Sequence, residues 1–157
     1  MEKAATERAE DYLEVIYDLI SKKGYARIVE IAERLNVRPP TVTEMIKKLS
    51  EKGLLVHEKY RGFTLTEEGE RIAKAVQRRH ETIANFLMIL GVDKEIAEQD
   101  ACKMEHDLHP MTLERFTKFV EFVQNAPQDP EWLEHFEHYV KTGEHKCKVS
   151  DLLSSLK

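Results

Sequence analysis

Three groups of side chains in this 157-residue chain have the types and spacing to bind a metal ion. Cys102, Glu105 and His106 lie at i, i+3 and i+4, which on a helix puts a thiolate, a carboxylate and an imidazole on one face. Mixed S, O and N donors that converge without backbone distortion suit a divalent transition ion. Asp11 and Glu14 are three apart and share a helical face, and His80 sits alone on a long amphipathic segment. Each fragment also has a plainer reading. A carboxylate pair solvates a helix, a lone histidine is a surface residue, and a cysteine in an amphipathic helix is a small buried apolar group. Spacing alone leaves both readings open, with Cys-x-x-Glu-His the rarest of the three. His135 and His138, with His145 and Cys147 beyond them, could form a second site, but a charged, solvated helix and tail is the better reading. The two cysteines form no CxxC pair, which excludes a zinc finger or ribbon. In a reducing cytoplasm no structural disulfide is expected.

The elements that must position these residues follow from periodicity and punctuation. Residues 6–22 place Leu13, Ile16, Tyr17 and Ile20 at helical spacing and stop at Gly24. A short amphipathic helix covers 28–35, Asn36-Val37-Arg38 makes a tight turn, and Pro39 and Pro40 suit the start of a third helix over 40–52. That helix buries Val42, Met45, Ile46 and Leu49 and turns Thr41, Thr43, Glu44, Lys47 and Lys48 outward. Two β-rich runs, 54–57 and 63–66, are joined by a hairpin-length connection ending in Gly62. Helix, short helix, turn, helix, hairpin is the order of a winged helix-turn-helix, whose second motif helix enters the major groove of DNA. The rest is helical: 67–90, 94–108 stopped by Pro110, 111–125, and, after the linker-like 126–130, a short helix over 131–141.

Charge agrees with that reading once it is divided along the chain. The net −5 arises because residues 1–66 hold 12 Lys+Arg against 11 Asp+Glu (+1), whereas 67–157 hold 12 against 18 (−6). Within 34–61 seven basic residues face three acidic ones, the footprint of a surface that meets phosphates. Thr41, Thr43, Glu44 and Lys47 are candidates for base edges. Arg38, Lys48, Tyr60 and Arg61 are candidates for phosphates or the minor groove, and Pro39 lies among them. No secretory signal and no membrane span is evident, so the cytoplasm is the expected compartment. With no Gly-rich phosphate loop and no nucleophile–base arrangement, an enzyme is not expected.

At this point the chain resembles a known family, the metalloregulators typified by the diphtheria toxin repressor, and within it the short manganese transport regulators. The resemblance spans about residues 5–125 and rests on EDYLEVIYDLI, KKGYARIVEIAERLNV, EKYRGFTLTEEG, RRHETIANFLMILGV and ACKMEHDL. It implies a homodimeric repressor that binds double-stranded operator DNA when loaded with Mn²⁺ or Fe²⁺, with Co²⁺ or Zn²⁺ able to substitute in vitro. The implied fold is mainly α: a winged helix-turn-helix with a small wing over 1–70, a helical metal-binding and dimerisation domain over 71–126, and a C-terminal helical extension over 127–157. Carried over position by position, Asp11, Glu14, His80, Glu105 and His106 match metal ligands of the manganese regulators. Cys102 departs from them: the manganese branch has a bridging carboxylate there, while the iron branch has a cysteine but a methionine in place of Asp11. Such a hybrid site leaves open the choice of metal and whether one or two ions bind per subunit. Ala84 and Glu98 replace an acidic ligand and a histidine of the iron branch's ancillary site, so that site is not expected. Nor does 157 residues leave room for the SH3-like domain of the larger iron-branch members.

With ligands in both halves, a bound ion would fix the reading head relative to the dimer axis, so that two recognition helices sit roughly 34 Å apart. Two other classes compete: a winged-helix regulator that answers to an organic ligand or thiol oxidation, and, more remotely, a metalloenzyme.

Overall fold

The computed structural model describes residues 2–58, 62–127 and 130–145, with side chains from Thr6 onward. It is mainly helical, with seven helices and one small sheet among the described residues. Helix α1 (Glu2–Lys23) runs unbroken for 22 residues. Its apolar stripe of Leu13, Ile16 and Leu19 is buried in the larger core against Ile31 of α2 (Ile28–Leu35) and Val42, Ile46 and Leu49 of α3 (Pro39–Glu51). The turn between α2 and α3 passes through Asn36, at φ 51, a left-handed conformation that asparagine tolerates better than most residues. Arg38 is extended because a proline follows it, and α3 starts on Pro39, where the missing N–H costs nothing. This is the expected helix-turn-helix, with α3 one residue earlier at each end.

The wing pairs β1 (Leu55–Glu58) antiparallel with β2 (Gly62–Leu65), Leu55 opposite Leu65 and Glu58 opposite Gly62. Both strands are offset by one residue from the expected runs: pairing extends to Glu58 and Gly62, while Leu54 turns to meet Thr66 through a backbone hydrogen bond. Leu55 and Phe63 tuck the wing into the core. Thr66 caps the long helix α4 (Glu67–Ile89): its Oγ1 accepts from the Gly69 N–H at 3.1 Å and donates to the Gly53 carbonyl at 2.8 Å. Gly69 lets α4 approach the wing, since a Cβ there would stand 2.1 Å from the Leu54 carbonyl oxygen.

Helix α4 packs along α1 on one side and against α5 (Lys94–Met104) and α6 (Pro110–Gln124) on the other. A smaller core of Ile83, Ala84 and Ala101 fills the second half, with Leu87, Leu113 and Phe116 around it. Phe86 stacks on Phe116 at 4.0 Å between ring centroids, and Phe119 meets Trp132 of α7 (Glu131–Thr142) at 5.7 Å. Helix α5 corrects the expectation of a helix to 108, because it ends at Met104. His109 must be extended ahead of Pro110, so the chain leaves the helix through a turn in which the N–H groups of Asp107 and Leu108 both donate to the Met104 carbonyl.

Candidate metal centre

Helices α1 and α4 and the end of α5 meet at a cluster of ionisable side chains. His106 presents Nε2 to Asp11 Oδ1 at 2.9 Å and to Glu105 Oε1 at 3.3 Å. His80, from α4, places Nδ1 3.1 Å from Glu105 Oε2 and Nε2 2.6 Å from Glu98 Oε2. On the far side of His106, Nδ1 lies 3.2 Å from Glu10 Oε2, which also accepts from Arg79 Nη2 at 2.7 Å. Glu105 caps α5, so its side chain is carried inward at the helix end while His106 follows in the turn.

The electrostatics call for a cation. Glu105 is 3% exposed, and its Oε1 makes no hydrogen bond; the 3.3 Å approach of His106 lacks hydrogen-bond geometry. An anionic oxygen in that position is costly unless positive charge reaches it. Burial holds the Asp11 carboxyl above its ordinary range against the pull of His106. Burial, then the charge of Glu105, pushes Glu14 up to about 7. The hydrogen bond that His80 gives to Glu105, opposed by burial and helped by the one to Glu98, raises its pKa to about 9. The donor atoms of Asp11, Glu105 and His106 lie within 4.8 Å of one another. Ligands about 2.0–2.2 Å from a shared ion stand roughly 3 Å apart, close to the 2.9 and 3.3 Å seen around His106 Nε2. Two carboxylates and an imidazole, with a free buried oxygen among them, fit a divalent transition ion.

The six sequence-predicted ligands do not all converge equally. Asp11, Glu105 and His106 form the tight group, and His80 joins it through Glu105. Glu14 is half-buried and feels the charges of Glu105, His80, Asp11 and His106. Cys102 is exposed at the rim, its thiol raised first by desolvation and then by the charges of Glu105, Asp11 and Glu14. The structure adds three residues not picked out as site residues: Glu10, Arg79 and Glu98. A spacing signal existed for two of them. Glu10 is at i−4 from Glu14, and Glu98 is at i−4 from Cys102, each on a face already carrying ligands.

In the reading head, Arg38, Pro39, Thr41, Thr43, Glu44, Lys47 and Lys48 are all exposed along the outer face of α3 and the turn before it. Thr43 Oγ1 folds back to donate to the Pro39 carbonyl at 3.2 Å. Tyr60 and Arg61 lie outside the described residues, as does Cys147. His135 and His138 are half-buried on α7, and the His145 ring lies 4.7 Å from that of Tyr139. Among the described residues these histidines join no cluster of three ligand atoms.

Comparison with known proteins agrees with this architecture. Residues 4–63 match the family described as "Iron dependent repressor, N-terminal DNA binding domain", and residues 66–134 match its "metal binding and dimerisation domain". The HTH-type transcriptional regulator MntR of Lysinibacillus sphaericus is 43% identical over 129 residues, covering 82% of this chain and 93% of that protein. MntR of Bacillus subtilis is 45% identical over 116 residues, 74% and 82% of the two chains. Among solved structures, the manganese regulator SloR superposes with a TM-score of 0.65 at 34% identity, covering 73% of this chain and 54% of that one. The chain thus spans about half the length of that structure. No helix among the described residues is long and apolar enough to cross a membrane. A winged reading head joined to a carboxylate–imidazole cluster, matched along both halves, places this chain in the iron-dependent repressor family of metal-dependent transcriptional regulators.

Proposed function

We propose that this protein is a cytoplasmic repressor that binds double-stranded operator DNA as a homodimer when loaded with Mn²⁺ or Fe²⁺, and so governs metal uptake. The observation that carries the reading is the buried Glu105 carboxylate, whose Oε1 accepts no hydrogen bond, where α1, α4 and the end of α5 meet. Asp11, Glu14, His80, Cys102, Glu105 and His106 are the ligands, serving one or two ions per subunit; Co²⁺ or Zn²⁺ substitutes in vitro. Relatives named as manganese regulators support Mn²⁺, and the oxygen-rich donor set suits Mn²⁺ or Fe²⁺. Cys102, a softer donor at the rim, is the residue that tilts selectivity away from Mn²⁺.

A bound divalent ion supplies the positive charge that lets these carboxylates converge. Asp11 and Glu14 tie the first half of the chain to the site, and His80, Glu105 and His106 tie the second. How α1 lies on α4 therefore sets where α3 stands relative to the dimer axis. The division at 1–70, 71–126 and 127–157 belongs to this reading: the first segment ends just inside α4, after the wing. On DNA, Thr41, Thr43, Glu44 and Lys47 address base edges from the exposed face of α3. Arg38, Lys48, Tyr60 and Arg61 stand against the phosphates or minor groove, where the charged ones set salt-dependent affinity, and Pro39 lies among them at the DNA face.

An anaerobic DNA-binding titration across Mn²⁺, Fe²⁺, Co²⁺ and Zn²⁺ tests the proposal. Wild-type protein should bind operator DNA only with metal and release it to a chelator, and His106→Ala should lose the response. Cys102→Glu should move Mn²⁺ up the ranking. DNA affinity indifferent to chelator and to His106→Ala would sink the reading, and an unchanged ranking in Cys102→Glu would remove Cys102 from its role.

A further inference from the structure

We propose that Glu10 is the positioning residue of the metal centre, and that Arg79 holds it in place across the boundary between the two halves. The inference rests on the metal-dependent reading above and deepens it. Glu10 Oε2 takes two donors at once, His106 Nδ1 at 3.2 Å and Arg79 Nη2 at 2.7 Å. An imidazole that donates its Nδ1–H to a carboxylate has its tautomer and ring plane fixed, with the Nε2 electron pair turned the opposite way. Here that edge faces Asp11 Oδ1, to which Nε2 is hydrogen-bonded at 2.9 Å, and Glu105 Oε1, so an ion that displaces the Nε2 proton would meet the electron pair among the oxygens of the tight ligand group. Glu10 thus touches no ligand position itself and acts through His106.

Arg79 makes this arrangement depend on both halves of the chain. Glu10 rides on α1 next to Asp11, whereas Arg79 rides on α4 next to His80. The pair is three-quarters buried or so, with side-chain exposures of 19% for Glu10 and 29% for Arg79, so it is less screened than the ion pairs on the helix surfaces. Arg79 Nε is also buried and finds no hydrogen-bond partner among the described residues, so the contact to Glu10 through Nη2 is what orients this guanidinium. Carboxylates that orient ligating histidines in this way typically contribute roughly 10–100-fold in metal affinity.

The test uses the full-length protein, with Mn²⁺ titrated by calorimetry and Co²⁺ followed by its ligand-field absorption. Glu10→Ala should weaken Mn²⁺ binding by roughly 10–100-fold and alter the Co²⁺ bands. Glu10→Gln, whose amide oxygen still accepts from Nδ1–H, should recover much of the loss. Arg79→Met should fall between wild type and Glu10→Ala. All three should keep the wild-type circular dichroism spectrum, which separates a lost positioning contact from a lost fold. Mn²⁺ affinity in Glu10→Ala within threefold of wild type, or an affinity loss that Glu10→Gln does not relieve at all, overturns the assignment. Wild-type protein whose DNA binding ignores metal would instead overturn the functional reading, so the two failures are told apart.

Discussion

At the scale of single residues, the site without an ion is a proton store. Glu14, raised to about 7, keeps in the folded state a proton that an ordinary glutamate at 4.5 would release. His80, raised to about 9, keeps one that an ordinary histidine at 6.5 would release. A group whose folded pKa lies above its unfolded value stabilises the fold most below the unfolded pKa, and that contribution is lost as pH rises through the folded one. Both groups therefore act in the same direction: the melting temperature of metal-free protein should fall between pH 6 and 9, while Mn²⁺ affinity should rise over the same interval as these ligands shed protons. Thermal melts across that range and Mn²⁺ titrations at pH 6.5 and 8.5 check this, and flat profiles would contradict it. The candidates legible in the sequence were those whose spacing puts several donors on one helical face, Asp11 with Glu14 and Cys102 with Glu105 and His106, although the last two stand at and beyond the end of α5. Arg79 was not legible, because its partner Glu10 is 69 positions away and nothing local links them. Cys102 shares the spacing of Glu105 and His106 but sits at the rim, because α5 buries the stripe Ala97, Ala101 and Glu105 and Cys102 lies one step round the helix from it.

At the scale of elements, the joint between wing and α4 carries the most specific packing. Thr66 Oγ1 satisfies an N–H of the first turn of α4 and binds the Gly53 carbonyl, so Thr66→Ala should destabilise the protein by about 1 kcal/mol, in the range for lost helix caps. Gly69→Ala should cost about 1–3 kcal/mol, because its methyl would press on the Leu54 carbonyl and neither helix nor wing is a flexible side chain end. Chemical denaturation of the two variants checks both values, and a neutral Gly69→Ala would mean that the wing yields more easily than its packing indicates. Prolines and glycines made most helix ends readable: Pro39 opens α3, Pro110 opens α6, and Gly91 follows α4. The end of α5 was not readable to the residue, since the turn from Glu105 to Leu108 is bonded to Met104 in a pattern that periodicity cannot tell from helix. The strand bounds shifted by one for a related reason: Gly62, at φ 81, ends the connection and also pairs with Glu58.

At the scale of the whole molecule, the reading head and the candidate metal centre share α1, and in the proposed function this helix is what couples their affinities. If metal raises DNA affinity by some factor, operator DNA must raise metal affinity by the same factor, with a coupling of about 1–3 kcal/mol being typical. Calorimetric Mn²⁺ titrations with and without operator DNA measure it, and the same Mn²⁺ affinity in both would show that the two sites are uncoupled. The unbroken helix α1 also has a mechanical consequence. Asp11 lies near its middle and Lys23 at its end, a span of about 18 Å at 1.5 Å per residue. A tilt of about 10° pivoting at Asp11 would therefore sweep the far end through about 3 Å, close to the spacing of successive base pairs. In the proposed switch α1 is thus a lever arm, and a small change where Asp11 and Glu14 meet the ion is magnified at the reading head packed on its far half.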